Sequence, residues 1–220
     1  MSAPALYAHP FSSYSQKVFM AFYEKSAPFE LRLLSRDNPG MVEEHQVLWP
    51  LGRFPVLHAG KRVMVESTII IEWLEHQHPA NPRLIPDEPD AALEVRMLDR
   101  IFDNYVMTPM ATIVFDRLRP DDAHDPYGVA RAREMLDKAY GWLDARMAGR
   151  TWAAADAFSL ADCAAAPALF YADWVHPFND RAGLMAYFRR LLARPSFARC
   201  VDDARPARDL FPGGAPVRDW

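Results

Sequence analysis

Residues 79–90 read PANPRLIPDEPD, with four prolines, and the hydrophobic period changes across them. Before this stretch, short apolar runs alternate between a strand-like period of two and a helix-like period near 3.6. After it, no run reads as a strand. Proline removes a backbone donor and pushes the residue before it out of the helical region, so a cluster of prolines marks a break. The chain is therefore expected to fold as two units: residues 1–80 mixed, residues 91–220 all helical, with residues 81–90 as a proline-rich linker.

Within the first unit, Ala5–Ala8 is a short apolar run ended by His9-Pro10. Ser12, Ser13 and Ser15 precede Val18, Phe19, Phe22 and Tyr23, whose spacing is that of an amphipathic helix opened by hydroxyl residues. Phe29–Leu33 alternates and reads as a strand. A loop at Asn38-Pro39-Gly40 leads into a weak helix through Leu48. Val56–Ala59 and Arg62–Val65 flank Gly60-Lys61 as a hairpin. A helix starting at Glu66, with Ile69, Ile70, Trp73 and Leu74 on one face, stops before Pro79. The order β-α-β-α-β-β-α ends in a hairpin and a helix, which excludes a doubly wound repeat.

In the second unit, Leu93, Met97, Ile101 and Tyr105 set a long helix reaching about Arg119. Val129, Leu136, Ala139, Tyr140, Leu143 and Met147 set another. Further helices are expected near 160–173, 183–193 and 196–204, with an irregular tail from Pro206.

The 25 basic and 29 acidic side chains leave a net charge of −4, without the basic footprint that nucleic acid demands. Cys163 and Cys200 lack metal-ligand spacing and read as buried structural thiols, in keeping with a reducing compartment. No metal site is expected. Met1–Pro10 has no basic-then-apolar signal. The longest apolar run, Cys163–Ala172, is interrupted by Pro167 and is far shorter than the ~20 residues of a membrane span.

Three stretches carry chemistry. Ser12-Ser13-Tyr14-Ser15 puts hydroxyls at a helix mouth just after a strand, where free N–H groups favour an anion. A serine there can donate to a thiolate; the plainer reading is a helix cap. Next, Gly52-Arg53-Phe54-Pro55-Val56-Leu57 places a proline at the start of a core strand. A cis Phe54–Pro55 bond would turn the Phe54 backbone outward to pair with an extended peptide, although the sequence alone favours an ordinary trans turn. Finally, Glu66-Ser67-Thr68 opens a helix, where Ser67 can hold a carboxylate and Glu66 an ammonium, or the cluster can simply cap.

In this order, a serine at the first helix, G-x-x-P-x-L and E-S resemble the glutathione S-transferase family. Phe158-Ser159-Leu160-Ala161-Asp162 looks like that family's capping box, and Arg194-Pro195-Ser196-Phe197 like its entry to a late helix. The resemblance covers almost the whole chain. It implies a thioredoxin-like fold for residues 1–80, followed by a helical bundle. Ser12–Ser15 would then stand where redox relatives carry C-x-x-C, so disulfide exchange by that route is not expected.

The resemblance also implies glutathione as co-substrate and a small hydrophobic electrophile as its target. Ser12 would activate the thiol, with Ser13 and Tyr7 as alternatives. Phe54, next to Pro55, would pair with the cysteinyl backbone, and Glu66 and Ser67 would hold the γ-glutamyl end. His45 and Arg53 are candidates for the glycyl carboxylate. Tyr105, Met107, Met110, Phe115 and Trp174 would line the electrophile site between the domains, with plain helical core as their other reading. A cytoplasmic homodimer is implied, with no nucleic-acid or membrane partner. Trp49 before Pro50, where the family often has Asn, and Phe54 in place of a small aliphatic residue depart from the pattern. Two rivals follow from the same resemblance. One is a non-catalytic ligand-binding or adaptor module. The other is a glutathione-dependent isomerase resembling maleylacetoacetate isomerase, which shares the doubled serine but typically has Cys where this chain has Tyr14.

Overall fold

The structure is a computed structural model describing residues 3–80, 82–154 and 156–217. The first domain runs β1 (Ala5–Ala8), α1 (Ser13–Glu24), β2 (Glu30–Leu33), α2 (Pro39–Leu48), β3 (Val56–Ala59), β4 (Arg62–Val65) and α3 (Ser67–Gln77). This is the β-α-β-α-β-β-α order read from the sequence. The sheet order is β2-β1-β3-β4; β1 and β2 are parallel, and β3 is antiparallel to both its neighbours. Gly60 takes φ +62° in the β3–β4 turn, where a side chain would be strained.

Register fixes what the sheet can present. Tyr7 stands opposite Val56, and Val56 opposite Val65. The end of β1, the start of β3 and the end of β4 therefore lie at one end of the sheet. The segments that continue from them, into α1, from Pro55 and into α3, start from that same end.

The second domain is helical: α4 (Pro89–Ile101), a π-helical stretch (Phe102–Met107), α5 (Thr108–Asp116), α6 (Pro126–Met147), α7 (Leu160–Val175), α8 (Ala182–Leu192) and α9 (Pro195–Ala204). Four expectations are corrected here. The long helix begins at Pro89, inside the stretch read as linker, and ends at Asp116 after a π segment. Pro109 has no N–H for the Tyr105 carbonyl, and the Thr108 hydroxyl instead donates to the Asp103 carbonyl at 3.0 Å, so the ladder widens there. The buried row of α4 is Ala92, Val95 and Leu98, whereas Leu93 and Met97 are 66% and 45% exposed. On α3 the core takes Ile70, Ile71 and Leu74, and leaves Ile69 outside. The tail is not irregular from Pro206: Arg205–Leu210 forms a 3-10 helix before the chain straightens at Phe211.

α7 is buried along its whole length and forms the axis of the second domain. Its capping box forms as the sequence suggested, with the Ser159 N–H donating to Asp162 Oδ2 at 2.8 Å. Asp162 also accepts from the Ala153 N–H at 2.9 Å and the Tyr187 hydroxyl at 2.6 Å. Against α7 and α9 packs α1 of the first domain. The connecting segment is clasped as well: Lys25 Nζ reaches the His78 and Pro82 carbonyls at 2.8 and 2.9 Å and the Glu75 carboxylate at 2.8 Å. Cys163 and Cys200 are both buried, and burial pushes both thiols up, so neither is a reactive thiolate. Among the described residues no helix is long and apolar enough to cross a membrane.

Candidate functional site

The sheet end gathers three backbone features. First, Ser12 is the N-cap of α1, with extended φ/ψ of −87° and 126°. Its N–H donates to the His9 carbonyl at 2.9 Å, and its Oγ accepts from the Ser15 N–H at 3.3 Å. Accepting through a lone pair leaves the hydroxyl proton for another acceptor. Ser13, the first helical residue, is also partly exposed.

Second, the Phe54–Pro55 bond is cis, correcting the trans turn that sequence favoured; a tertiary amide makes that isomer accessible. Pro55 is buried and Phe54 half-exposed.

Third, Glu66 sits at φ +69°, a region non-glycine residues seldom occupy and one that clusters at ligand sites. Ser67, next in chain, opens α3 and is buried. Two helix N-termini thus start from one end of the sheet, where their dipoles favour negative charge.

Other sequence candidates fall differently. The Tyr7 hydroxyl already donates to Glu44 Oε2 at 2.9 Å, and burial, then Glu44, holds its pKa above the usual phenol value. A phenol so engaged is a poor thiolate donor. His45 is 3% exposed, with Nε2 3.0 Å from the Arg53 carbonyl. It braces the loop leading to Pro55, so it is a buried rather than a surface histidine. Arg53 itself is exposed. Met107 and Met110, 2% and 6% exposed, are packed in the core, in line with their other reading as helical core. Tyr105 and Phe115 are exposed. Trp174 is buried, its ring 6.2 Å from that of Phe11, the residue before Ser12.

Two features escaped the sequence reading. Lys17, one turn into α1 and 1% exposed, pairs with Asp99 at 2.5 Å and Asp103 at 2.8 Å across the domain seam. The Thr68 hydroxyl donates to Asp99 at 2.9 Å, and Arg100 reaches Thr68, Asp99 and Asp103. Burial pushes the Asp103 carboxyl up while Lys17 pulls it back. Tyr14 lies near this cluster; burial first, then the Asp103 charge, pushes its hydroxyl up to about 12.

The second feature is a set of hydrogen bonds that ties the Pro10–Phe11 loop to α7. Gln16 Nε2 donates to the Pro10 carbonyl at 2.9 Å and the Tyr171 oxygen at 3.1 Å; the Tyr171 hydroxyl donates to the Phe11 carbonyl at 2.9 Å. A lysine in a helical apolar face is the only sequence signal of the first feature, and it reads as easily as a solvated charge.

Family models for the glutathione S-transferase N-terminal and C-terminal domains match residues 6–82 and 126–190. The chain belongs to the glutathione S-transferase family. Among solved family members, a glutathione S-transferase from Methylobacterium radiotolerans, in complex with glutathione sulfonate, is 29% identical. It superposes with a TM-score of 0.78 over 100% of this chain and 99% of its own. FtsZ-localized protein A of Caulobacter vibrioides is 31% identical over 98% of this chain and 95% of that protein. A probable maleylacetoacetate isomerase 2 of Drosophila melanogaster is 25% identical over 92% and 89%. Among the described residues no group of three or more His, Cys, Asp or Glu could hold a metal.

Proposed function

We propose that this family member binds glutathione at the sheet end and activates its thiol, with Ser12 as the hydrogen-bond donor, for attack on a small hydrophobic electrophile. The observation that carries this reading is the Ser12 cap: its oxygen is occupied by the Ser15 N–H, and its proton remains available beside a helix N-terminus. Ser13 is the alternative donor. The Phe54 main chain pairs with the cysteinyl backbone next to Pro55. Glu66 and Ser67 take the γ-glutamyl end, and Arg53 the glycyl carboxylate.

A free thiol has a pKa of about 8.5, and one donor plus the helix terminus lowers it by roughly one to two units. The sulfur then forms a bond to the electrophilic carbon, the leaving group departs with the bond pair, and the thiol proton goes to solvent. No covalent bond to the protein forms. The row Leu93, Met97 and Tyr105, exposed on one helix face, supports a homodimer, and Val63 and Ile69 are exposed apolar residues of the first domain. The reading includes a cytoplasmic setting and a domain junction within residues 81–90.

A second reading is a non-catalytic partner-binding module, favoured by the 31% identity with FtsZ-localized protein A along nearly the full chain. Calorimetric titration with glutathione, followed by an assay of glutathione consumption with a generic electrophile, separates the two. Binding with consumption supports the transferase. Binding without consumption supports the module, or the isomerase if a cis-enoic substrate is turned over while glutathione is conserved. Absence of binding sinks the glutathione reading.

A further inference from the structure

From Pro10 to Ser12 every backbone N–H and carbonyl has a partner. The Ser12 N–H donates to the His9 carbonyl at 2.9 Å, closing a turn with Pro10 and Phe11 at its centre. Proline at the second position pre-sets the φ that such a turn needs. The Phe11 N–H donates to His9 Nδ1 at 3.1 Å, and the Ser12 carbonyl accepts from the Gln16 N–H at 2.9 Å. The carbonyls of Pro10 and Phe11 remain. Gln16 Nε2 donates to the first at 2.9 Å, and the Tyr171 hydroxyl donates to the second at 2.9 Å.

These partners differ in origin. His9 and Gln16 are local, one in the turn and one on α1. Tyr171 comes from α7, the buried axis of the second domain, 160 positions from Phe11. Its oxygen also accepts from Gln16 Nε2 at 3.1 Å. It therefore holds one carbonyl directly and orients the side chain that holds the other. A carbonyl can only accept, which fixes the direction of the chain: Gln16 N–H to Tyr171 O–H to Phe11 C=O. Both side chains are buried, and bonds in such a chain polarise one another. Burial pushes the Tyr171 hydroxyl up, so it keeps its proton at neutral pH. The Phe11 carbonyl and the Ser12 N–H belong to one peptide plane. That plane is pinned at both ends, by Tyr171 and by His9, and its tilt sets the Ser12 φ of −87° and with it the bearing of Oγ.

We infer that Tyr171 is a positioning residue for the Ser12 donor, the second domain aiming that hydroxyl through the Phe11–Ser12 peptide. This rests on the reading of Ser12 as the thiolate donor. Loss of the Tyr171 hydroxyl frees the plane to rock, and a donor turned off its line keeps only part of its hydrogen bond. The contacts assigned to Phe54, Glu66 and Ser67 do not pass through Tyr171, so binding of the thiol form is spared.

Two measurements on the full chain test this, with Tyr140→Phe as the control. The Tyr140 hydroxyl is as buried as that of Tyr171, but it donates to the His176 carbonyl at 3.1 Å and not to the turn. In the first, the Ser12 amide nitrogen line is followed by NMR, because an amide nitrogen senses the hydrogen bond on the carbonyl of its own peptide. Tyr171→Phe should move that line and quicken Ser12 hydrogen exchange; Tyr140→Phe should change neither. In the second, the thiolate absorbance of bound glutathione is titrated with pH. Its pKa should rise by about half a unit in Tyr171→Phe, a loss of roughly threefold in thiolate over thiol, and stay in place in Tyr140→Phe. Glutathione affinity in acid, where the thiol form binds, should be unchanged. An unmoved Ser12 line in Tyr171→Phe overturns the proposal. So does a bound pKa that rises equally in Tyr140→Phe, or one that stays put in Tyr171→Phe while Ser12→Ala raises it. Should Tyr171→Phe fail to fold, Gln16→Leu carries both measurements, with the Phe11 line read because the Pro10 carbonyl then loses its donor. If glutathione does not bind, or Ser12→Ala leaves its pKa unmoved, the donor reading has failed, and the NMR line alone decides whether Tyr171 places Ser12.

Discussion

The sheet end and the domain seam are neighbours, yet they are built from opposite materials. The sheet end is made of backbone: a cap at Ser12, the turn at Phe54–Pro55, a positive φ at Glu66 and two helix termini. The seam is made of side chains that meet from far apart in sequence: Lys17 with Asp99 and Asp103, Gln16 with Tyr171, Phe11 with Trp174 and Phe211. Backbone features offer fixed donors and dipoles to a ligand while adding little to stability. Buried side-chain pairs do the reverse, because removing one partner strands the other in a low dielectric.

The largest effect that would break this contrast comes from Lys17. Lys17→Met leaves Asp99 and Asp103 without their ammonium, and a cost of about 3–5 kcal/mol is expected in a chemical denaturation curve. A change below about 1 kcal/mol would mean that Arg100 and Thr68 suffice to hold both carboxylates without Lys17, and the contrast is wrong. Gln16→Leu should cost less, about 1–2 kcal/mol, since it strips the Pro10 carbonyl and Tyr171 oxygen of a donor. Ser12→Ala is a sheet-end change: it removes a cap and should cost no more than about 1 kcal/mol by the same measurement.

The smallest expected effect is alkaline. The folded protein holds the Tyr14 proton up to about 12, whereas an unfolded tyrosine releases it near 10. Between those values the native state binds the proton and the unfolded state does not, so this group's contribution falls as pH rises. Tyr14→Phe should therefore show a shallower loss of stability from about pH 10 to 12 than the parent protein. Identical alkaline limbs would place Tyr14 in a more solvated setting than its surroundings imply.

The same contrast explains what sequence could reveal. Sheet-end features are local, so their residues sit together in the chain: a hydroxyl before an amphipathic run, a proline before a strand, Glu-Ser before a helix. Even there, the sequence allows either isomer of Phe54–Pro55 and on its own favours trans, whereas the bond is cis. The seam joins residues up to 200 positions apart (Phe11 with Phe211), and no spacing rule links them. Periodicity likewise identified α4 but chose the wrong stripe. Leu93, Met97 and Tyr105 are spaced as well for burial as Val95, Leu98 and Phe102, and only the partner surface decides. The burial of His45 was equally invisible, because its partner is the carbonyl of Arg53, eight residues on.

The central claim is that Ser12 and the terminus of α1 stabilise a bound thiolate. Its most direct test is the ultraviolet absorbance of the thiolate of protein-bound glutathione, titrated with pH in the parent protein and in Ser12→Ala. The account predicts a bound pKa about one to two units below the free value of ~8.5, moving back by roughly one unit in the variant. Saturable binding with the same, unshifted pKa in both proteins would contradict it.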